Sequence, residues 1–221
     1  VRPLLVLLSA ALNAPAGGRG IGQRTYLAAM LVEIIHTASL IHDDVIDEAD
    51  TRRGRASANA KWQSRNAVVL GDYLLARNME LGMRSGQYDL VSYVIASIAT
   101  LCEGELLQSD RAERMEITRD AYLEIIYKKT ASLLGISAGV GALSAGANRE
   151  QVARMRRFGD ALGMAFQIQD DILDFTRGAE TGKPSNNDLR EHKITLPLLL
   201  LLDRADAARR DELLALLARC R

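Results

Sequence analysis

Residues 43–47 read DDVID, and nearly the same pattern returns as DDILD at residues 170–174. In each copy the first and last aspartates are one helical turn apart, so on a helix their carboxylates share a face. Like charges at this spacing repel each other, yet both copies lie in apolar sequence that has reason to be buried. A bound cation would remove this conflict, and carboxylate oxygens favour Mg2+. The repeat therefore predicts two helices that hold Mg2+ and, through the metal and nearby basic residues, phosphate groups.

The length of the chain fits one domain, and its net charge is zero. The 221 residues include 28 basic and 28 acidic side chains, so no net charge attracts nucleic acid or anionic lipid over distance. Cys102 and Cys220 have neither metal-ligand spacing nor the density of a disulfide framework, which favours a reducing cytoplasm. The chain starts Val1-Arg2-Pro3 without a methionine. We expect a single domain, 1–221, that lacks terminal segments, in a cytoplasmic protein.

Apolar residues recur at helical rather than strand spacing through most of the chain. The periodic stretches are 27–41, 68–81, 90–107, 122–143 and 152–175, with turn-forming residues between them. They predict an all-α, single-domain helical bundle. The uncharged, glycine-rich stretch 130–148 is the only one we expect to resemble a membrane span, and its few large aliphatic residues favour a tightly packed core helix instead. We therefore predict no transmembrane segment.

In a helical bundle, two helices that are far apart in sequence can face each other across a central cavity. Two facing acidic clusters would hold one phosphate-rich ligand through several metal ions. The alternative is a solvated acidic face, which is the usual fate of one aspartate-rich run. That alternative does not explain why both runs lie in apolar sequence and are followed by basic residues.

A diphosphate held by metals between helices suits two kinds of chemistry. Attack at phosphorus calls for a positioned base or a phosphate-cradling loop, and the sequence shows neither. Departure of the whole diphosphate needs cations to absorb the developing negative charge and an apolar chamber to protect a carbocation. The apolar residues around both acidic runs favour the second kind.

Several motifs resemble one family in the same order. Residues 40–54 (LIHDDVIDEADTRRG) resemble the first aspartate-rich motif and arginine pair of the trans-isoprenyl diphosphate synthases, the polyprenyl synthetase family, and residues 163–174 (GMAFQIQDDILD) resemble the second. The segments 71–75, 129–131, 182–184 and 193–197 also resemble family segments. The resemblance covers nearly the whole chain and is greatest to medium- and long-chain synthases of the octaprenyl type. Arg2-Pro3 departs from the pattern, because the family's preceding lysine is missing.

The resemblance implies an isoprenoid synthase fold and a Mg2+-dependent prenyltransferase that joins isopentenyl diphosphate to an allylic diphosphate such as geranyl or farnesyl diphosphate. It implies that about three Mg2+ ions bind with the diphosphate. The implied metal ligands are Asp43, Asp47, Asp170, Asp171 and Asp174, with Asp44 assisting. The implied catalytic residues are Asp43, Asp44, Asp47, Lys129, Asp170, Asp171 and Lys183.

The same resemblance implies two diphosphate sites. The allylic diphosphate would contact Arg52, Lys129, Thr130, Gln167, Lys183 and Lys193, and isopentenyl diphosphate would contact Arg2, His36 and Arg53. Other interpretations stay open: the arginine pair can stabilise a helix C-terminus, His36 can be a satisfied core histidine, and Gln167 can orient Asp170.

Small residues one turn before Asp43 predict the length of the product. Ala38 and Ser39 would form the floor of the chain-elongation chamber, and with no aromatic residue there the growing chain passes at least one turn deeper. We expect a medium or long all-trans product of about five to ten isoprene units. A geranylgeranyl or farnesyl diphosphate synthase is the alternative.

Further rival functions are a terpene cyclase or squalene-synthase-like enzyme, a non-catalytic subunit of a heteromeric synthase, and a module that only sequesters prenyl diphosphates. Both intact aspartate triplets favour the catalytic synthase. By resemblance we expect a homodimer, with residues 91–98 and neighbouring apolar faces at the interface.

Overall fold

The computed structural model describes residues 1–15, 18, 20–52, 54–114, 118–175 and 195–219. These residues are almost entirely helical, as predicted. In chain order the helices are α1 Arg2–Leu12, α2 Gln23–Ile46, α3 Ala58–Arg84, α4 Tyr88–Arg114, α5 Arg119–Ile126, α6 Ser132–Ser144, α7 Arg149–Asp174, α8 Leu196–Arg204 and α9 Ala207–Arg219. A π-helical turn, Tyr127–Ala131, joins α5 to α6. A two-stranded antiparallel hairpin, β1 Thr51–Arg52 and β2 Arg55–Ala56, follows α2.

Helix α6 is the centre of the bundle. Its residues are buried from Ser132 to Ala142, and it packs against α1, α2, α4 and α7. Glycines make this possible, since a Cβ at Gly141 would clash with the carbonyl oxygen of Val6. A Cβ at Gly159 of α7 would lie 2.5 Å from the carbonyl oxygen of Leu134. The prediction that residues 130–148 form a tightly packed core helix is confirmed.

The main core lies where α2, α4 and α6 meet. Its most deeply buried large side chains include Leu31 and Ile35 of α2, Leu90 of α4, and Leu133 and Ile136 of α6. Burial of such side chains contributes about 1.5–3 kcal/mol each, which makes this cluster the principal source of stability. The apolar periodicity in stretches 27–41 and 90–107 therefore reflects real packing faces.

Helices α2 and α7 both run toward the end of the bundle that holds the π turn. At that end, Thr130 donates to Gln167 near the C-terminus of α7. At the opposite end, the hydroxyl of Ser144 donates to Thr25 near the N-terminus of α2. Because both helices carry their acidic motif at the C-terminal end, the fold brings the two motifs to the same end of the bundle.

Among the residues that the structure describes, two helices have the length and apolar composition of a membrane span, α2 and the Tyr88–Arg111 part of α4. The expectation that only residues 130–148 have such a composition is therefore wrong. Both helices contribute side chains to the core described above. A helix that packs inside a bundle can be as long and as apolar as a helix that spans a membrane.

Residues 91–98, where we expect the dimer surface, turn most of their apolar side chains into the bundle. Val91 and Val94 are buried in the core, and Ile95 and Ile98 pack partly against it. Between residues 91 and 99, the exposed residues of α4 are small: Ser92, Ala96 and Ala99. The apolar residues that looked available for a partner are used within the chain.

Candidate functional site

The first acidic motif lies at the end of α2. The helix ends at Ile46, and Asp47 is its C-cap, whose backbone N–H donates to the carbonyl oxygen of Asp43 at 2.8 Å. The C-terminal end of a helix is the negative end of its dipole, where carboxylates are unfavourable and cations are stabilised. No basic residue occupies the last turn of α2 or of α7. Both motifs therefore place carboxylates where their own helices favour a positive charge.

In the first motif, the outer aspartates, Asp43 and Asp47, and the inner aspartate, Asp44, lie in different surroundings. Asp44 is only 3% exposed, and Arg52 of the hairpin donates from Nε to its Oδ1 at 2.5 Å. The backbone N–H of Ala49 donates to the Asp44 carbonyl oxygen, and Ser57 donates to the Ala49 carbonyl oxygen, which ties the hairpin to the end of α2. Asp44 thus holds Arg52 beside the motif. Arg53, the second residue of the arginine pair, lies outside the described residues.

Asp43 is partly buried among charges of both signs. Burial raises the pKa of its carboxyl group to about 6; Glu105 and Asp47 add to the rise, whereas Lys129 and Arg52 oppose it. A carboxylate that is costly to ionise in the empty site gains most from a bound cation. This environment fits the predicted Mg2+ ligand.

The second motif shows the same division between inner and outer aspartates. Asp171 is 3% exposed, and its two oxygens accept hydrogen bonds from the Tyr122 hydroxyl at 2.6 Å and the Gln167 amide at 2.8 Å. Gln167 in turn accepts from Thr130 at 2.7 Å. Burial raises the pKa of Asp171, and the two donors oppose that rise. Asp170 is exposed and Asp174 is half-buried, so the outer pair is more accessible than Asp171.

The structure thus gives Asp44 and Asp171 protein partners instead of open coordination positions. Direct metal ligation by Asp171 stays a prediction. The chain of hydrogen bonds from Thr130 through Gln167 to Asp171 and Tyr122 fixes the last turns of α7 against α5 and the π turn. Gln167 orients Asp171, whereas we expected it to orient Asp170 or to contact the substrate.

Lys129 lies in the π turn between the two motifs. Its ammonium pairs with Glu105 of α4 at 2.5 Å and donates to Gln108 at 3.0 Å. π-helical turns are rare and occur often at functional sites, because they rotate side chains out of the regular helical positions. The predicted phosphate-binding lysine therefore reaches the first motif from an unusual backbone segment.

Three residues of this site were missed from the sequence: Glu105, Gln108 and Tyr122. Glu105 interrupts the apolar stretch 90–107, and a charged residue within such a helix was a usable signal. Tyr122 gave no sequence signal, since its role depends on how α5 packs against α7.

The remaining predicted residues are placed as follows. Arg2 and His36 are half-buried on α1 and α2, Ala38 is fully buried, and Ser39 is half-buried with its hydroxyl bonded to the His36 carbonyl oxygen. Lys183 and Lys193 lie outside the described residues.

The carboxylates of the site fit a metal ion that is coordinated partly by the protein and partly by a ligand. Within the described ranges, no three residues of the types His, Cys, Asp and Glu are grouped closely enough to enclose a metal ion. Mg2+ is commonly held by one or two carboxylates together with substrate phosphates and water. The pairs Asp43 with Asp47 and Asp170 with Asp174 supply such partial sites on two helices.

Comparison with known proteins agrees with this arrangement. The family model described as polyprenyl synthetase matches residues 1–221. The chain belongs to the polyprenyl synthetase family. A decaprenyl diphosphate synthase structure from Rhodobacter capsulatus superposes with a TM-score of 0.86 at 41% identity, over 95% of this chain and 63% of that one. The bundle therefore has the isoprenoid synthase fold.

Two curated relatives illustrate the range of similarity. The chain is 43% identical to heptaprenyl diphosphate synthase component 2 of Geobacillus stearothermophilus, over 91% of this chain and 62% of that protein. It is 36% identical to a short chain isoprenyl diphosphate synthase of Methanothermobacter thermautotrophicus, over 98% of this chain and 67% of that protein. The polyprenyl synthetase chain thus spans about two thirds or less of the length of these relatives.

The raised pKa of Asp43 predicts a pH-dependent stability in the metal-free protein. The folded protein binds this proton more tightly than the unfolded chain, so stability falls as pH rises from about 4 to about 6. An asparagine at this position cannot ionise, and across that window Asp43→Asn should therefore gain stability relative to wild type by on the order of 3 kcal/mol.

Urea unfolding of both proteins in the presence of chelator, at pH 4 and pH 7, measures this difference. A stability difference that is independent of pH would contradict the environment described for Asp43. Glu150→Gln, at the exposed N-terminal end of α7, serves as the control for removing a surface carboxylate.

Proposed function

We propose that this polyprenyl synthetase chain is the catalytic core of a Mg2+-dependent prenyltransferase that condenses isopentenyl diphosphate with an allylic diphosphate. The observation that carries the proposal is the placement of two acidic motifs at the negative ends of α2 and α7, with Lys129 beside Asp43 and the next residue, Thr130, bonded to Gln167 of α7. Carboxylates so placed require cations, and cations so held would bind a diphosphate.

In the proposed reaction the allylic carbon–oxygen bond breaks and diphosphate leaves with the bonding electrons. The double bond of isopentenyl diphosphate attacks the carbocation, and loss of a proton restores a double bond. Bound Mg2+ supplies positive charge to the departing diphosphate. About three ions are proposed, held by Asp43, Asp47, Asp170, Asp174 and Asp171.

Basic side chains of the protein add to the positive charge around the leaving diphosphate. Lys129 and Arg52 lie beside Asp43 and would bind the leaving diphosphate, and Asp44 fixes the direction of Arg52. Thr130 and Gln167 orient the last turns of α7. We further propose that Lys183 and Lys193 bind the allylic diphosphate, and that Arg2, His36 and Arg53 bind isopentenyl diphosphate.

Elongation is tested by incubating the full protein with farnesyl diphosphate, isopentenyl diphosphate and Mg2+ and measuring diphosphate release together with product length. We expect release that stops when chelator is added. Asp170→Asn should lower the rate by about 10²–10³-fold, because it removes a group that acts on charge developing in the transition state.

The control is Glu150→Gln on the same helix, which should retain wild-type rate. Substrate binding without diphosphate release by the wild-type protein would overturn the enzymatic proposal in favour of a sequestering module.

We propose a medium- or long-chain product. Support comes from the small side chains of Ala38 and Ser39 on the turn before Asp43 and from relatives named for long products, such as the octaprenyl diphosphate synthase of Escherichia coli (strain K12). Ala38 is fully buried, so an aromatic residue there would overpack the core. Ser39 is half-buried and therefore the better site for narrowing the chamber.

Ser39→Phe should shorten the main product by at least one isoprene unit, as measured by chromatography of the dephosphorylated products. The matched control is Thr37→Phe, because Thr37 is exposed on the same helix. Equal product lengths for Ser39→Phe and wild type would place the chamber floor elsewhere.

We propose a cytoplasmic homodimer that uses the outward face of α4. This face presents Ser92, Ala96 and Ala99, small and uncharged residues that allow close approach of a second copy. A heteromeric assembly is the second candidate, because relatives from Geobacillus stearothermophilus and Bacillus subtilis are named heptaprenyl diphosphate synthase component 2.

Light scattering at micromolar concentration should show a dimer for wild type and a monomer for Ala96→Arg. Ala161→Arg, on the exposed side of α7, should remain dimeric. A wild-type monomer without elongation activity would favour the heteromeric candidate.

A further inference from the structure

Two adjacent lysines of the π turn each have their own glutamate on α4. Lys129 pairs with Glu105 at 2.5 Å, and Lys128 pairs with Glu103 at 3.2 Å and with Glu124 at 3.0 Å. The surroundings differ, since Lys129 and Glu105 are each 22% exposed whereas Glu103 is 61% exposed. Lys129 and Glu105 of the first pair both act electrostatically on Asp43 of the acidic motif of α2.

Close packing brings the π turn to these glutamates. A Cβ at Gly104, between Glu103 and Glu105, would lie 2.8 Å from Cβ of Lys128 and 3.1 Å from the backbone nitrogen of Lys129. The glycine therefore lets α4 touch the backbone of the turn. Gln108, one turn further along α4, accepts a second hydrogen bond from the Lys129 ammonium at 3.0 Å.

The Lys129 ammonium lies near two carboxylates and pairs with one of them. Asp43 is close enough to be affected electrostatically by both Lys129 and Glu105. The ion pair, however, forms between Lys129 and Glu105. A lysine without its own counter-ion would be drawn to Asp43, where its charge would compete with a bound cation.

We propose that Glu105 is a positioning residue that, with Gln108, supplies Lys129 with a counter-ion and so leaves Asp43 available for the metal–diphosphate. This inference rests on the proposed prenyltransferase function. When diphosphate binds, Lys129 turns from Glu105 toward the phosphate oxygens while its stem stays against α4. Glu105 touches neither substrate nor metal in this role and acts through Lys129.

A purely structural ion pair makes a different prediction. Loss of such a pair would lower thermal stability and leave the Mg2+ requirement unchanged. Loss of the counter-ion of Lys129 raises the Mg2+ concentration needed for diphosphate binding, because the freed ammonium occupies Asp43. The effect disappears when Lys129 is itself replaced.

The test uses calorimetric titration of inorganic diphosphate at several Mg2+ concentrations, with thermal unfolding of each variant as a check of folding. Glu105→Gln should raise the half-saturating Mg2+ concentration about tenfold, as is typical when a residue that orients a binding group is removed. Glu103→Gln, the matched control on the neighbouring pair, should leave it within about twofold. Glu105→Asp, which keeps the charge, should restore most of the binding.

In a Lys129→Met background, Glu105→Gln should produce no further change in the Mg2+ requirement. Steady-state kinetics give a second readout, in which Glu105→Gln should raise KM for the allylic diphosphate more than it lowers kcat. An unchanged Mg2+ requirement in Glu105→Gln, or an equal change in Glu103→Gln, would overturn the inference. A wild-type protein that binds no Mg2+–diphosphate would instead overturn the proposed function.

Discussion

The structure depends on one electrostatic constraint, which is that carboxylates are concentrated at the negative ends of two helices. Asp43 and Asp47 end α2, and Asp170 and Asp174 end α7. Without bound cations the Asp43 carboxylate is costly to ionise in the folded state, because burial raises its pKa and Glu105 and Asp47 add to the rise. The rest of the bundle must supply enough packing energy to keep the helices in place, and bound cations then offset part of that destabilisation.

Helix α6 meets this requirement because it is buried along most of its length. Its small residues and those of α7 allow backbones to approach within van der Waals contact, as the close approaches at Gly141 and Gly159 show. Such packing leaves little freedom for α2 and α7 to separate under repulsion. The two inner aspartates assist, because Asp44 anchors the hairpin through Arg52 and Asp171 anchors α5 through Tyr122.

Much of this architecture could be predicted from the sequence, since helices with one strongly apolar face are recognisable by their period. Helices α2, α3, α4 and α7 and the core role of α6 followed from that signal. The π turn did not, because the apolar residues on either side of Tyr127–Ala131 keep helical spacing, so that residues 122–143 look like one continuous helix. The burial of Asp44 and Asp171 was equally hidden, because a run of two aspartates does not tell which one faces the protein.

The contribution of α4 to the site also depended on tertiary structure. The need for a glycine at position 104 is evident only when the π turn is seen to lie against it. Glu105 becomes part of the site only through its ion pair with Lys129. The part of the expected dimer surface that is apolar could not be assigned for a related reason, since an apolar residue such as Val94 can face its own core or a second chain. Sequence periodicity identifies an apolar face without identifying what covers it.

The π turn also sets a limit on how the chain can change in length. A π-helical turn contains one more residue than the α-helical turn it replaces. Deleting a single residue between α5 and α6 would restore a regular helix and rotate everything before the deletion by about 100° relative to α6. Lys128 and Lys129 would then exchange orientations or lose both glutamates at once, and the packing of α1, α2 and α4 against α6 would have to change as well. The number of residues in this turn, more than their identity, therefore decides which lysine faces the acidic motifs.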